Sequence, residues 1–457
     1  MPMNSTAERW SGRTGFILAT MGSAVGIGSI WKFPYEVGAN GGGTFVLFYI
    51  AGLILIVVPL MFAEFAIGRR GRGDPSSSMR AVAAAEGAAR WWGLVGILGV
   101  VTGFLILSFY SVIGGWTLGY TMQTLVNGLA GADPVSVRER FDAFLASPLQ
   151  LLVCHALFMA ATAGVVARGV ANGIEAASKV LMPVLLVLML AFAAYSIVEG
   201  DLAGALAFLF RPDSTYMRAD VALDALGLGF FSIGVGMGLM ITYAAYGRAD
   251  INLTQVAVVS VLADTGISFL AGLAVFPIVF AYHLDPASGA GLVFITLPIA
   301  FAQMPFGTVA AFAFFLLLFV AALASAIATL ELVVALLIRR FSLRRTTAAT
   351  LAGLFCFLAG IATVLSFNAW SGWYPLQGIA GFEKSTFYDL LDYLTSNILL
   401  PLAGFLIALF AGWAISKRLL AEELRLTPAG AAVLQFMLRY VVPAGIAAAA
   451  LSFLFRR

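Results

Sequence analysis

Gly22-Ser23-Ala24-Val25-Gly26-Ile27-Gly28-Ser29-Ile30-Trp31-Lys32-Phe33-Pro34 decides how this chain folds. The stretch lies inside the first long apolar run, 16–54, yet it holds three glycines within seven residues, then a lysine and a proline. A helix built only to cross lipid is poor in both features. Each glycine costs about 1 kcal/mol of helix stability against alanine, and a lysine at membrane depth costs more. Backbone that leaves the helix inside a bilayer survives only where protein or a water-filled cavity satisfies it. The stretch therefore predicts a broken helix with free N–H and C=O groups near 24–28. Such groups suit an anion on one half-helix and a cation on the other. A glycine-rich helix packed closely on a neighbour is the plainer alternative.

The rest of the chain sets the surroundings. Of its 457 residues 61% are hydrophobic and 11% charged, and the mean hydropathy is +0.98. Apolar runs of the roughly 20 residues needed to span a bilayer recur throughout. About eleven are read, at 14–36, 43–68, 93–127, 150–167, 174–198, 221–247, 252–282, 308–338, 346–367, 387–415 and 434–455. This predicts an all-α membrane protein. The first run lacks a small-residue cleavage site, so no signal peptide is expected. No HExxH, GxSxG or Walker loop occurs, which leaves metalloprotease, serine-hydrolase and ATP-driven pump chemistry without support. Cys154 and Cys356 read as small buried hydrophobes, and two histidines are too few for a metal site.

Net charge is only +3, so its placement carries more than its size. Arg69, Arg70, Arg72, Arg80 and Arg90 follow the second run, Arg339, Arg340, Arg344 and Arg345 the eighth, and Lys417, Arg418 and Arg425 the tenth. The loop 283–307 has no Lys or Arg. That asymmetry puts the N-terminus in the cytoplasm. Arg456 and Arg457 run against the odd number of spans.

Single polar residues mark the apolar runs. Glu64 is a lone carboxylate, expected to brace the free amides of a broken helix. The hydroxyl of Tyr110, in mid-span, needs a partner that a ligand could supply. Glu175 and Lys179, spaced i,i+4, read as a surface ion pair. The sixth run, Gly227-Leu228-Gly229-Phe230-Phe231-Ser232-Ile233-Gly234-Val235-Gly236-Met237-Gly238, repeats the oddity of the first. Two interrupted runs five helices apart point to inverted repeats around a midplane site. Asp264 and Ser268 stand one turn apart in the seventh run. Ala321, Ala324, Ser325 and Thr329 form a small, polar stripe in the eighth, followed by Glu331. The stripe suits either helix packing or the oxygen ligation that hard cations prefer.

Trp10, the 22–34 segment, Asn40-Gly41-Gly42-Gly43, the 59–69 segment, Gly173–Lys179 and the 230–246 segment together resemble the neurotransmitter:sodium symporter family, in particular its bacterial amino-acid transporters of the leucine-transporter fold. The resemblance runs from Trp10 to Trp413. It implies two inverted five-helix repeats, 13–198 and 220–415, with broken first and sixth helices. It also implies a cytoplasmic segment 1–12 and an additional C-terminal helix, 431–457.

The implied activity is sodium-driven uptake of an amino acid. The substrate carboxylate would rest on amides in the Gly26, Ile27 and Gly28 turn and on the Tyr110 hydroxyl. The amine would face carbonyls of Ala24 and Phe231 and the Ser232 region. Ile106, Gly234, Met237, Ser325 and Thr329 would line the side-chain pocket, with Phe231 and Tyr110 as its lid. One sodium site would use Ala24, Ser29, Ser232 and Asp264, and a second Gly22, Val25, Ala321 and Ser325. Lys32 and Asp392 would form the outer gate. Trp10, Tyr246 and Arg339 belong to the inner gate.

Several positions depart from the family pattern. Ser29 and Asp264 stand where asparagines are usual, Ser232 replaces a threonine, and Ala324 lacks the second site's usual oxygen. Lys32 replaces an arginine and loses its bidentate fork. The family's inner pair, an N-terminal arginine and an aspartate closing the eighth span, falls on Ala7 and Arg339, which suggests a reversed pair of Glu8 with Arg339. A neutral residue at Ser268 usually goes with chloride dependence, but the Asp264 carboxylate can offset sodium's charge, so chloride is not expected to be required.

The resemblance thus implies a sodium-coupled symporter in the cell membrane that imports a neutral, hydrophobic amino acid with one or two sodium ions. It is not an enzyme and has no nucleic-acid partner. Proton coupling through Asp264 or Glu331 is the alternative on the same fold. A channel or a non-transporting sensor is the alternative from another class. The polar residues cluster at one depth, as an occluded site requires, whereas a channel needs a continuous polar path.

Overall fold

The computed structural model describes residues 8–128, 133–286 and 291–455, with side chains up to 448. Ala7, Arg456 and Arg457, named above, lie outside the described residues. Nine continuous helices there are long and apolar enough to cross a membrane, and one bent pair makes a tenth span. The interrupted sixth, in halves of 15 and 7 residues, completes the expected eleven.

In chain order the spans are Arg13–Ala24 with Gly28–Ala39, Gly43–Gly71, Arg90–Asn127, Pro148–Ala167, Val170–Glu199, Ala219–Ile233 with Leu239–Ala245, Leu253–Ala281, Gly307–Phe341, Arg345–Ser366, Phe387–Ala414 and Pro428–Ala448. The last begins earlier than hydropathy suggests. Thr427 caps it by accepting a 3.1 Å hydrogen bond from the Gly430 amide, and Pro428 fills the first turn, where its missing N–H costs nothing. Short helices outside the spans cover the ends, among them Pro75–Ala85, Pro134–Ala146 and Leu292–Gln303.

The third and eighth spans are 61% and 67% buried along their apolar windows, against 33% for the fourth, fifth and eleventh. They form the scaffold on which the two broken helices lie. The halves of the first span meet at 49°. Val25 leaves the helical region there, with φ −76° and ψ 100°, and the backbone from Gly28 to Lys32 resumes as a wider π turn. Gly26 is needed for close approach: a Cβ on it would come within 3.0 Å of both the Ser325 side chain and the Tyr110 hydroxyl.

The sixth span breaks by a different device. Gly234, Gly236 and Gly238 take φ of 73°, 91° and 81°, a region that side-chain-bearing residues rarely adopt. Glu64, fully buried, accepts a 2.6 Å hydrogen bond from the freed amide of Gly236. The bracing role read from the sequence is its observed one.

Candidate functional site

Two chambers meet at the first break. The outer one, about 190 Å3, is lined by Ile27, Trp31, Lys32, Tyr35, Phe109, Tyr110, Ile113, Phe231, Tyr388 and Asp392. The inner one, about 20 Å3, is bounded by Ser23, Ala24, Gly26, Gly28, Ile106, Leu107, Tyr110, Phe231, Ser232, Gly234, Met237, Leu239, Ser325 and Thr329. Of the residues predicted to contact substrate, all but Ile27 line the inner chamber. Ile27 lines the outer one, and its amide donates to the Tyr110 hydroxyl at 3.3 Å. Tyr110 and Phe231 border both chambers and form the partition between them.

On one flank of the break a carboxylate gathers hydroxyls. Asp264 is fully buried. The Ser232 hydroxyl lies 3.0 and 3.1 Å from its two oxygens, the Tyr49 hydroxyl donates to it at 3.2 Å, and Ser29 donates to it closely. Ser29 and Ser232 are also 2.9 Å apart, and Ser29 reaches the Ala24 carbonyl at 3.5 Å. A buried carboxylate surrounded by hydroxyl and carbonyl oxygens is a hard, anionic donor set that fits a small alkali cation. Tyr49 was not foreseen. The argument made for Tyr110, that a mid-span hydroxyl needs a partner, applies to it equally.

The other flank is poorer in oxygen. Ser325 donates to the Ser23 carbonyl at 3.4 Å, and a Cβ on Gly22 would lie 3.6 Å from the Ala324 methyl. Ala321 is fully buried beside them. A cation placed here would rely on backbone carbonyls and one hydroxyl.

The two ends of the site differ in state. At the inner end Trp10 is 1% exposed, donates through its indole to the Tyr243 carbonyl at 2.9 Å and stacks on Phe16 at 5.5 Å. Its backbone amide reaches the Tyr246 carbonyl at 3.3 Å. Tyr246 donates at 2.6 Å to Glu331, which forms a close ion pair with Arg345. At the outer end Lys32 is not within ion-pair distance of Asp392. Its ammonium lies 4.7 Å from the centre of the Phe231 ring, and Asp392 accepts instead from Ser396 at 2.9 Å.

Two further expectations need correction. Glu8 pairs not with Arg339 but with Arg345, at 3.5 Å, and it also accepts from the Val170 amide at 2.9 Å. Arg339 is solvent-exposed near the end of its helix, whereas Arg345 opens the next one and is turned inward. Nothing in the sequence separates Arg345 from the arginines around it except its place at the start of a span. Glu175 does pair with Lys179, at 2.7 Å, but the carboxylate is buried and also ties down Ser11, so the contact is not a surface pair. Gly234 lines the inner chamber, and its positive φ also makes glycine a requirement of the turn.

Interrupted helices at the centre of an apolar bundle, with a sealed inner end and an open outer chamber, define the class of multi-pass membrane transporters. The model of the Sodium:neurotransmitter symporter family matches residues 7–138 and 135–399. The chain belongs to this family and is a sodium-dependent transporter, not an enzyme. It is 37% identical to an uncharacterized sodium-dependent transporter of Bacillus subtilis (strain 168), YhdH, across 96% of each chain. It is 34% identical to an uncharacterized sodium-dependent transporter of Methanocaldococcus jannaschii, across 91% of this chain and 84% of that one. Among solved structures, MhsT in complex with L-phenylalanine superimposes with a TM-score of 0.89 at 41% identity, covering 97% of this chain and 99% of the other.

Proposed function

We propose that the protein imports neutral, hydrophobic amino acids together with sodium by alternating access, in the cell membrane and with its N-terminus in the cytoplasm. The observation that carries this reading is the two-chamber geometry at the first break. On it a carboxylate-binding end (the Ile27 amide and Tyr110 hydroxyl), an apolar wall (Ile106, Met237) and an oxygen cage around Asp264 converge. The phenylalanine held by MhsT supports the substrate class.

Substrate would bind with its carboxylate at Ile27, Gly28 and Tyr110 and its amine at the carbonyls of Ala24 and Phe231. Phe231 and Met237 would yield the space that the inner chamber lacks. Sodium would sit between Ala24, Ser29, Ser232 and Asp264. A second ion would use Gly22, Val25, Ala321 and Ser325. Gating would fall to Lys32 and Asp392 outside and to Trp10, Tyr246, Glu331 and Arg345 inside. The two repeats, 13–198 and 220–415, would rock about this fixed site. The missing oxygen at Ala324 favours one tightly held sodium ion rather than two equal ones.

Uptake of L-phenylalanine into proteoliposomes, with sodium and proton gradients imposed separately, tests the proposal. A sodium gradient alone should drive accumulation, and leucine and tryptophan should compete better than alanine. Accumulation on a proton gradient without sodium would overturn it. So would equal competition by all three amino acids.

A further inference from the structure

A cavity of about 600 Å3 lies apart from both chambers. Its walls come from the end of the third span, the helix Pro134–Ala146, the start of the fourth span and Pro298 of the short helix Leu292–Gln303. The volume is that of a small-molecule site. Among the described residues of its lining Arg140 is the one charged side chain, and the Asp142 carboxylate, outside that lining, is close enough to act on Tyr120. Arg140 makes no ion pair there. It donates once, to the Gly128 carbonyl at 3.2 Å, out of the five N–H groups of a guanidinium. The side-chain amides of Gln123, Asn127 and Gln150 line the same space without a protein partner among the described residues. Tyr120 lies at the floor, 6% exposed, with its hydroxyl unpartnered.

Among the described residues, a solvent-exposed guanidinium without an ion pair, three side-chain amides and an unpartnered buried phenol complement an anion rich in hydrogen-bonding groups. We propose that this cavity is a regulatory site for small hydroxylated carboxylates, with the carboxylate on Arg140 and the hydroxyls on the amides. The route to the transport path is visible in the packing. Pro298 belongs to the same short helix, Leu292–Gln303, as Phe294, which is buried between Tyr120, at 5.2 Å, and Trp31, at 5.6 Å. Trp31 lines the outer chamber. An occupant bridging Arg140 and Pro298 therefore holds this short helix, and through Phe294 the outer half of the first helix, where they stand with the outer chamber open. A ligand that prefers one state of a cycle shifts the protein toward that state by its differential affinity. Occupancy should slow turnover without competing for the amino-acid site.

The probe is D-gluconate, with methanesulfonate as the ionic control. Calorimetry on the purified, sodium-loaded protein should show saturable millimolar binding of gluconate and none of methanesulfonate. In proteoliposomes external gluconate should lower the maximal rate of sodium-driven uptake roughly fivefold, a typical coupling strength, with little change in half-saturation. Arg140→Gln should abolish both effects while leaving basal uptake intact. Ala143→Trp, which fills the cavity without touching the transport path, should do the same and guards against a fold defect at Arg140. Absence of gluconate binding to the unmutated protein overturns the proposal. So does inhibition that persists in both variants, or that more amino acid relieves. The calorimetry needs no transported substrate, so its failure leaves the transport reading standing.

Discussion

The two flanks of the first-helix break share a backbone and part company in chemistry. Toward the seventh span the freed carbonyl of Ala24 meets Ser29, whose hydroxyl joins Ser232 and Tyr49 on the Asp264 carboxylate. Toward the eighth the Ser23 carbonyl meets one hydroxyl, Ser325, while Ala321 and Ala324 present methyl groups. One flank brings a formal negative charge to the cation and the other only dipoles. Opposite charges about 4 Å apart attract by roughly 4 kcal/mol at an effective dielectric of 20, several times what a single neutral hydrogen bond contributes net. Charge, not ligand count, should therefore set the hierarchy of the two flanks.

Asp264→Asn tests that hierarchy most severely. It keeps the shape and removes the charge, so sodium-driven uptake in chloride-free medium should fall by about a thousandfold. Recovery on adding chloride would show that a mobile anion can replace the fixed one. Uptake within a few-fold of the unmutated protein would collapse the distinction between the flanks.

Tyr49→Phe should matter less but visibly. A hydrogen bond to a charged group contributes about 1.5–3 kcal/mol, so half-activation should need roughly tenfold more sodium or beyond. An unchanged sodium titration would mean that Tyr49 merely packs there.

Ala324→Ser approaches from the poor flank. One added oxygen near Gly22 should tighten sodium activation by a few-fold, the effect of about 1 kcal/mol. If activation and its steepness both stay put, no cation uses this flank.

The smallest expected effect is none at all. Replacing chloride by methanesulfonate should leave uptake by the unmutated protein unchanged, because Asp264 already supplies the negative charge. A collapse reversed by chloride would assign the anion requirement to the neutral Ser268 instead.

What the sequence disclosed follows from how local each signal is. The breaks were legible because glycine density and a proline are properties of the strand of chain itself. Glu64 and Tyr110 were legible because a polar atom in an apolar run demands a partner, and the demand is visible without the partner. Tyr49 escaped although it poses the same demand, since nothing local distinguishes it from an interfacial aromatic. Arg345 escaped because a charge at a span's end satisfies the topology argument and so prompts no further question. Its inward turn is set by the packing of the eighth and ninth spans against the N-terminal segment, which no window of sequence contains. Gly234 came into view only through the family resemblance, and its positive φ, which makes glycine a requirement there, is not written in the sequence.

The bracing of the sixth break constrains how the molecule can move. Glu64 holds the Gly236 amide, and one turn further along the second span a Cβ on Gly68 would collide with the backbone of Ile241. These two contacts, on either side of Leu239, clamp the second helix and the inner half of the sixth into one lever. Neither can slide or tilt alone without stranding a buried carboxyl group and amide, so the inner end should open as a swing of both together, hinged at the glycines on the lever's far side.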